Sequence, residues 1–276
     1  MANPSVAQPV LPFLKWPGGK RWAAARIAPL IRRQLRGTYY EPFIGGGAVF
    51  FHLRPVGAVL SDVNADLINV YRVVRSRAGE LRRALKGLPV SRRQYDALRV
   101  AQPRSQFDRA VRLLYLNRTC FGGIYRLNQS GKFNVPYGGG ERTPRILWET
   151  DLLLDAAEVL ADAEMRTQDF GVAFKRAVAG DVVYCDPTYT VAHDNNGFVR
   201  YNERNFSWLD QVRLAQLALG AVARGVAVIV SNAHHRSLRA LYPSASFRVL
   251  HRTSHVSTDS TRRRSISEYL IILTPR

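Results

Sequence analysis

A chain of 276 residues that is 46% hydrophobic can bury a substantial core, and it suits one large α/β domain or one such domain carrying an insertion. Two cysteines far apart, Cys120 and Cys185, argue against a disulfide framework and fit a reducing compartment. Lys+Arg total 40 against 21 Asp+Glu, a formal charge of +19 that favours nucleic acid as partner over a membrane surface, because the basic residues are dispersed rather than gathered on one amphipathic helix.

No apolar run reaches the roughly 18 residues that a membrane helix needs. The opening residues lack a basic segment followed by an apolar one, so no secretory signal is expected. Adjacent His234-His235 has no carboxylate or cysteine at ligand spacing, and no metal site is expected.

Residues 1–12 read as a loose arm. Phe13-Leu14-Lys15-Trp16-Pro17-Gly18-Gly19-Lys20 follows, a tight turn ahead of an apolar-periodic helix over 23–35. Its glycines allow close approach to a ligand, and Lys20 near the helix start can reach an anionic group. The spacing does not match a phosphate-binding P-loop, and a plain loop-to-helix junction is the alternative. Thr38-Tyr39-Tyr40-Glu41-Pro42-Phe43 reads as a strand, Ile44-Gly45-Gly46-Gly47 as a turn, and 48–53 as a helix. That is the first half of a nucleotide-binding βαβ unit, without the standard dinucleotide fingerprint. A second strand, 58–61, ends on Asp62, where an acid can hold ribose hydroxyls; the competing reading is an N-cap for a helix starting near Ala65.

Residues 64–116 read as mostly helical, with apolar spacing at Leu67, Ile68, Tyr71 and Val74 and again at Leu81, Leu85 and Leu88. From Arg72 to Arg166 there are 18 basic residues against 10 acidic, a poor continuation of a βαβ pattern and therefore an inserted domain. Inside it lies Leu116-Asn117-Arg118-Thr119-Cys120-Phe121-Gly122-Gly123-Ile124-Tyr125-Arg126-Leu127-Asn128, then Gln129-Ser130-Gly131-Lys132 and Phe133-Asn134-Val135-Pro136-Tyr137-Gly138. The turn residues signal a hairpin near 118–138. Asn117, Arg118, Tyr125, Arg126, Asn128, Lys132 and Tyr137 supply the mixture of amides, cations and rings that base stacking and base-edge hydrogen bonding require. A protein-contact surface is the alternative there.

An acidic helix over 151–165 leads to a short strand at Met165-Arg166-Thr167-Gln168-Asp169-Phe170, and a helix over 171–179 comes next. Val182-Val183-Tyr184-Cys185 then runs into Asp186-Pro187-Thr188-Tyr189. This reads as a buried parallel strand whose carboxyl end presents an acid, a rigid proline and an aromatic face, where ligands bind in open α/β sheets. An ordinary strand-to-loop exit is the bland alternative. Residues 190–205, with Asn195-Asn196-Gly197, read as a lid; 207–222 as a helix; and 227–230 as an apolar strand ending at Ser231-Asn232. Residues 247–256 and 266–273 pair as an antiparallel hairpin, its loop carrying Arg262-Arg263-Arg264.

Taken in order, FLKWPGGK (13–20), YYEPFIGGGAVFFHL (39–53), LSDVNADL (60–67), LNRTCFGGIYRLNQSGKFNVPYG (116–138) and VVYCDPTY (182–189) resemble the Dam-type (D12 class) DNA adenine-N6 methyltransferases over nearly the whole chain. The resemblance implies a Rossmann-like S-adenosylmethionine-dependent methyltransferase sheet of seven mixed strands. The catalytic domain would comprise 1–70 and 166–276, and the mostly helical target-recognition insertion 71–165. It implies cofactor contacts at Trp16, Lys20, Glu41, Gly45, Gly47, Asp62, Asp169, Phe170 and Asp186. Lys15 and Arg126 would read guanine in a GATC-like site, and Arg126 suits guanine because two donors meet O6 and N7 together.

Asp186 and the carbonyl of Pro187 would accept the two N–H bonds of an adenine amino group and free its lone pair for attack. Tyr189 would stack on the base, flipped out of duplex DNA. The family usually has Asp-Pro-Pro-Tyr, whereas Thr188 stands third here, which removes one fixed φ but leaves the acceptor pair and the ring. The glycine-rich 138–142 leaves the target sequence open. The alternatives are a cytosine-N4 methyltransferase, in which a serine commonly replaces the acid, and a catalytically weak DNA-binding relative. A monomer acting on DNA in the cytoplasm of a bacterial or phage-infected cell is expected, and any restriction endonuclease would be a separate chain.

Overall fold

The computed structural model describes residues 10–128, 130–139, 147–190, 206–253 and 265–275. All of the expected lid over 190–205 except Thr190, the arginines 262–264, Gln129 and Gly140 to Arg142 lie outside the described residues. The chain divides into two compact units: 1–24, 45–56 and 62–167 form one; 25–44, 57–61 and 168–276 form the other.

The first unit is mainly helical: α2 (Ala48–Leu53), α3 (Ala65–Lys86), α4 (Arg92–Val100), α5 (Gln106–Thr119), α6 (Leu152–Leu160) and the short strand β3 (Ala163–Thr167). Serines start two of these helices. The Ser91 side chain accepts from Gln94 N–H and that of Ser105 from Asp108 N–H, satisfying donors that the first turn would otherwise orphan. Helix α3 buries Leu67, Ile68, Tyr71, Val74, Leu81 and Leu85, the apolar spacing expected of it. Its arginines are not all solvated: Arg72 and Arg75 donate to the carbonyls of Met165 and Ala163 at 2.8 Å, and so tie α3 to β3. Phe13 packs edge-on against Phe51 and Tyr71, so this unit takes in far more than the stretch 71–165.

The expected hairpin near 118–138 is only partly regular. Helix α5 runs through Arg118 to Thr119, and the segment after it makes isolated bridges at Cys120↔Tyr137 and Leu127↔Phe133. Asn128 closes its tip by accepting on Oδ1 from Ser130 and Lys132 N–H. The two arms still pair through the backbone, Phe121 and Gly138 N–H donating to the Pro136 and Thr119 carbonyls, and Asn134 and Asn128 N–H to those of Arg126 and Lys132.

The second unit holds α1 (Ala24–Gln34), β1 (Tyr39–Glu41), β2 (Ala58–Asp62), α7 (Phe170–Arg176), β4 (Val182–Cys185), α8 (Trp208–Ala223), β5 (Ala227–Ala233), α9 (Arg236–Leu241), β6 (Ser246–Thr253) and β7 (Ser265–Leu273). The seven-stranded sheet has the order β3-β2-β1-β4-β5-β7-β6. Strand β1 is parallel to β2 and β4, and β4 is parallel to β5; β7 is antiparallel to β5 and β6. Strands covered on both faces read as continuous apolar runs, and Val182 to Cys185 are at most 1% exposed. Strand β3 ends earlier than expected, because Asp169 leaves the strand to cap α7, its carboxylate accepting from Gly171 N–H at 2.9 Å. The chain is thus a mixed α/β protein built on one sheet, and no described helix is long and apolar enough to cross a membrane.

Candidate active site

In the first unit Trp16 lies against the glycine turn. A Cβ on Gly45 would come within 2.8 Å of its ring, and that ring stacks on Tyr125 at 5.1 Å. Lys20 is buried, its Nζ donating to the Gly18 carbonyl at 2.9 Å. Asp62 accepts from the N–H groups of Asn64 (3.0 Å) and Gly45 (3.4 Å). Asn64, not Asp62, is the N-cap of α3, since its side chain accepts from Leu67 N–H. Asp62 is therefore tied to the glycine turn rather than to the helix. Burial pushes its carboxyl up to about 6, against the pull of those backbone donors.

The residues expected at a DNA surface separate into two sets. Arg126, Asn128 and Lys132 are exposed; Arg126 Nε is aimed by Asn134 Oδ1 at 2.9 Å. Tyr137, half-buried, packs its ring against Tyr95 at 5.3 Å, and Tyr125 is shared between Trp16 and Phe133. Asn117 and Arg118 correct the expectation of direct DNA contact, for both are buried. Asn117 accepts from the backbone N–H of Lys15 (2.9 Å) and donates to its carbonyl (2.6 Å). Arg118 Nε donates to the Phe13 carbonyl at 3.0 Å, and burial pulls its guanidinium down to about 10. Both residues hold the segment Phe13–Lys15 in place. Lys15 is half-buried, and its methylenes occupy the space that a Gly123 side chain would need.

In the second unit Glu41 ends β1, buried and accepting from the Tyr39 hydroxyl at 2.7 Å. Asp169 and Phe170 sit in a cluster that sequence reading missed. Phe43 stacks on Phe170 at 5.2 Å, Phe206 packs against both, and Arg213 lies over the Phe170 ring at 4.0 Å while pairing with both Asp169 oxygens. That pairing holds the Asp169 carboxyl below its usual range, leaving it an acceptor only. The one available signal was Arg213 three residues after the capping Asp210. Pro187 is buried, Asp186 and Tyr189 are half-buried, and Thr188 is exposed. Burial first and then the neighbouring Asp186 charge push the Tyr184 hydroxyl and the Cys185 thiol up, so Cys185 is a poor nucleophile. Glu268, also missed, accepts from the Tyr189 hydroxyl.

Within the second unit, acids thus stand at the carboxyl ends of two neighbouring parallel strands, Glu41 in β1 and Asp186 after β4. With an antiparallel β7 inserted beside β5, the sheet is consistent with the methyltransferase class. A family model described as D12 class N6 adenine-specific DNA methyltransferase matches residues 16–258. The chain is 34% identical over 270 residues to the Type II methyltransferase M1.LlaDCHI of Lactococcus lactis subsp. cremoris, covering 94% of each. It is 33% identical over 271 residues to the DNA adenine methylase of Escherichia coli (strain K12), covering 95% of each. To the DNA N-6-adenine-methyltransferase of Escherichia phage P1 it is 36% identical over 244 residues, 86% of this chain and 32% of the phage protein. The chain belongs to the D12 class N6 adenine-specific DNA methyltransferase family, an enzyme class that methylates adenine in DNA. Adenine-N6 therefore displaces the cytosine-N4 alternative.

Proposed function

We infer that this enzyme takes the methyl group from S-adenosylmethionine and places it on adenine in a GATC-like site of duplex DNA, after the base has left the stack. The observation that carries the reading is Asp186-Pro187, a carboxylate and a fixed carbonyl presented at the end of the most buried strand, with the Tyr189 ring beside them. When bound, S-adenosylmethionine supplies an electrophilic methyl. Asp186 and the Pro187 carbonyl accept the two N–H bonds of the amino group. The nitrogen then becomes more tetrahedral and its lone pair leaves the ring system. Holding the amine in this attacking geometry accounts for much of the rate, since orientation contributes on the order of 7–11 kcal/mol. Tyr189 stacks on the extruded ring.

Each unit by itself carries chemistry that suits the cofactor. Asp62 offers a half-buried acceptor for ribose hydroxyls beside a turn, Gly45 to Gly47, without side chains. Asp169 offers an acceptor for an adenine amino group and Phe170 an apolar wall. Trp16, Lys20 and Glu41 complete the expected contacts. Because the carboxyl of Asp62 is raised to about 6, ribose binding through its ionised form is lost as pH falls through that value. Affinity for S-adenosylmethionine, followed by calorimetry, should be flat above pH 7 and weaken toward tenfold per unit below about pH 6. Asp62→Asn should bind weakly at every pH with the profile flattened; an unchanged slope in this variant removes Asp62 from the site.

Residues 71–165 are assigned to target recognition, with Lys15, Tyr125, Arg126, Asn128, Lys132 and Tyr137 at the duplex. The exposed fork of Arg126, steadied by Asn134, supports guanine reading. Arg126→Ala should cost about 1–3 kcal/mol of discrimination at one guanine and leave cofactor affinity unchanged. Methylation of duplexes substituted at each position checks this, and loss of cofactor binding without loss of preference contradicts it. A monomeric cytoplasmic enzyme, with any restriction endonuclease as a separate chain, fits this reading. The decisive test is sequencing of modified bases in DNA from cells expressing the protein. N6-methyladenine at GATC-like sites is the expected result; another site overturns the target, and no modification anywhere favours a catalytically weak relative.

A further inference from the structure

The turn after β4 contains one proline. Thr188 stands exposed between Pro187 and Tyr189, so the covalent restraint on φ stops at Pro187. A ring that must present a defined face to a base needs a second anchor, and the described residues contain one. The Tyr189 hydroxyl donates to Glu268 Oε2 at 2.8 Å. Glu268 sits in β7 between Ala233 of β5 and Leu250 of β6, followed by Tyr269, Leu270 and Ile271, and is 3% exposed. A carboxylate at that depth opposes folding unless it is hydrogen bonded, and an apolar residue would suit the strand better. Both strands that flank Glu268 fix its height in the sheet, so the acceptor is held by backbone pairing on either side. Burial, with Asp186 and Glu268 as negative neighbours, pushes the Tyr189 hydroxyl well up, so it stays a donor across the working range.

We propose that Glu268 is a positioning residue for methyl transfer, holding the Tyr189 ring in its base-stacking orientation through the phenolic hydroxyl. This rests on the reading of Asp186 to Tyr189 as the amine-binding turn. It assigns a second tether, from a strand two places along the sheet, to the only aromatic group in that turn.

The test is a double-mutant cycle on the full chain, with steady-state methylation of a duplex by labelled S-adenosylmethionine. Tyr189→Phe keeps the ring and removes the hydroxyl; Glu268→Ala removes the acceptor; Glu268→Gln retains one. Tyr189→Phe and Glu268→Ala should each lower kcat roughly tenfold, the scale of one hydrogen bond to a charged group, with KM for the cofactor within about twofold. Glu268→Gln should recover most of that loss, and the double variant should be no worse than the weaker single. Wild-type kcat in Tyr189→Phe, or losses that multiply in the double variant, overturn the proposal. If Glu268→Ala does not fold, Tyr189→Phe alone decides: a kcat near the wild-type value overturns the proposal, and a roughly tenfold loss with unchanged cofactor KM upholds it. Asp186→Ala separates the two claims: if it is active, the amine-binding reading fails, whereas an inactive Asp186→Ala beside a normal Tyr189→Phe overturns the Glu268 assignment alone.

Discussion

Asp186→Ala should lower methyl transfer at least about a thousandfold while duplex affinity and the folded state persist. The carboxylate follows a strand in which no residue is more than 1% exposed, so the position of its backbone is set by the sheet and not by its own side chain. On the proposed mechanism, truncation removes an acceptor from the reacting amine, and it does so without opening the core, because Asp186 itself is half-buried. Losing one oriented acceptor in the transition state commonly costs about 10²–10³ in rate, and loss of attack geometry adds to it. Duplex affinity comes mainly from phosphate contacts made by the basic surface, which this change leaves intact. Asp186→Asn is the sharper variant. It preserves shape but turns one oxygen into a donor facing an N–H, so it should be nearly as impaired. Rate measurements with labelled cofactor, beside binding to a fluorescent duplex, check both variants. Normal turnover in Asp186→Ala would sink the mechanism, and a parallel loss of duplex binding would reassign the residue to DNA contact.

The strands of the parallel half were legible because burial on both faces leaves uninterrupted apolar runs, as at 182–185 and 227–230. One helix start was legible where a serine caps it, at Ser207, whereas the starts capped by Ser91 and Ser105 lie inside a stretch read only as mostly helical. Asp62 and Asp186 stood out for a related reason: each is an acid that closes an apolar run. Arg118 shows what could not be read. In a chain this basic an arginine reads as surface, yet its guanidinium is spent on a carbonyl 105 residues away in sequence. Asn117 is misread for the same reason, since its two polar ends are used up on both sides of Lys15. The Asp169 cluster was half visible. Asp169 and Phe170 were named, but Phe43, Phe206 and Arg213 come from distant segments that only the fold assembles. Composition of a segment tells which chemistries are available to it; long-range pairing decides which of them reach solvent.

Gly47→Val should destabilise the fold by about 3–5 kcal/mol, and the reason separates into two measurable parts. Gly47 caps α2 at φ +68°, a left-handed conformation that costs a β-branched residue on the order of 1–3 kcal/mol. A Cβ there would also stand 2.7 Å from the Tyr71 hydroxyl and 3.1 Å from the Phe51 ring. Neither ring can retreat: both are at most 1% exposed, and the Tyr71 hydroxyl is held by the Gly45 carbonyl at 2.9 Å. Overpacking of that kind costs a further ~1–3 kcal/mol. Gly57 gives the control, since its φ is +74° but nothing lies within 4 Å of an added Cβ. Gly57→Val should therefore carry the backbone cost alone, and the difference between the two variants in urea unfolding isolates the packing clash. At roughly 2–4 °C per kcal/mol for a chain of this size, Gly47→Val should melt about 10 °C or more below the parent. Relief of the clash by Phe51→Ala, even with its own cavity cost, should make the double variant less unstable than the sum of the singles. Equal losses at Gly47 and Gly57 would mean that the glycine turn is set by its backbone alone, with no part played by the Tyr71 and Phe51 rings packed behind it.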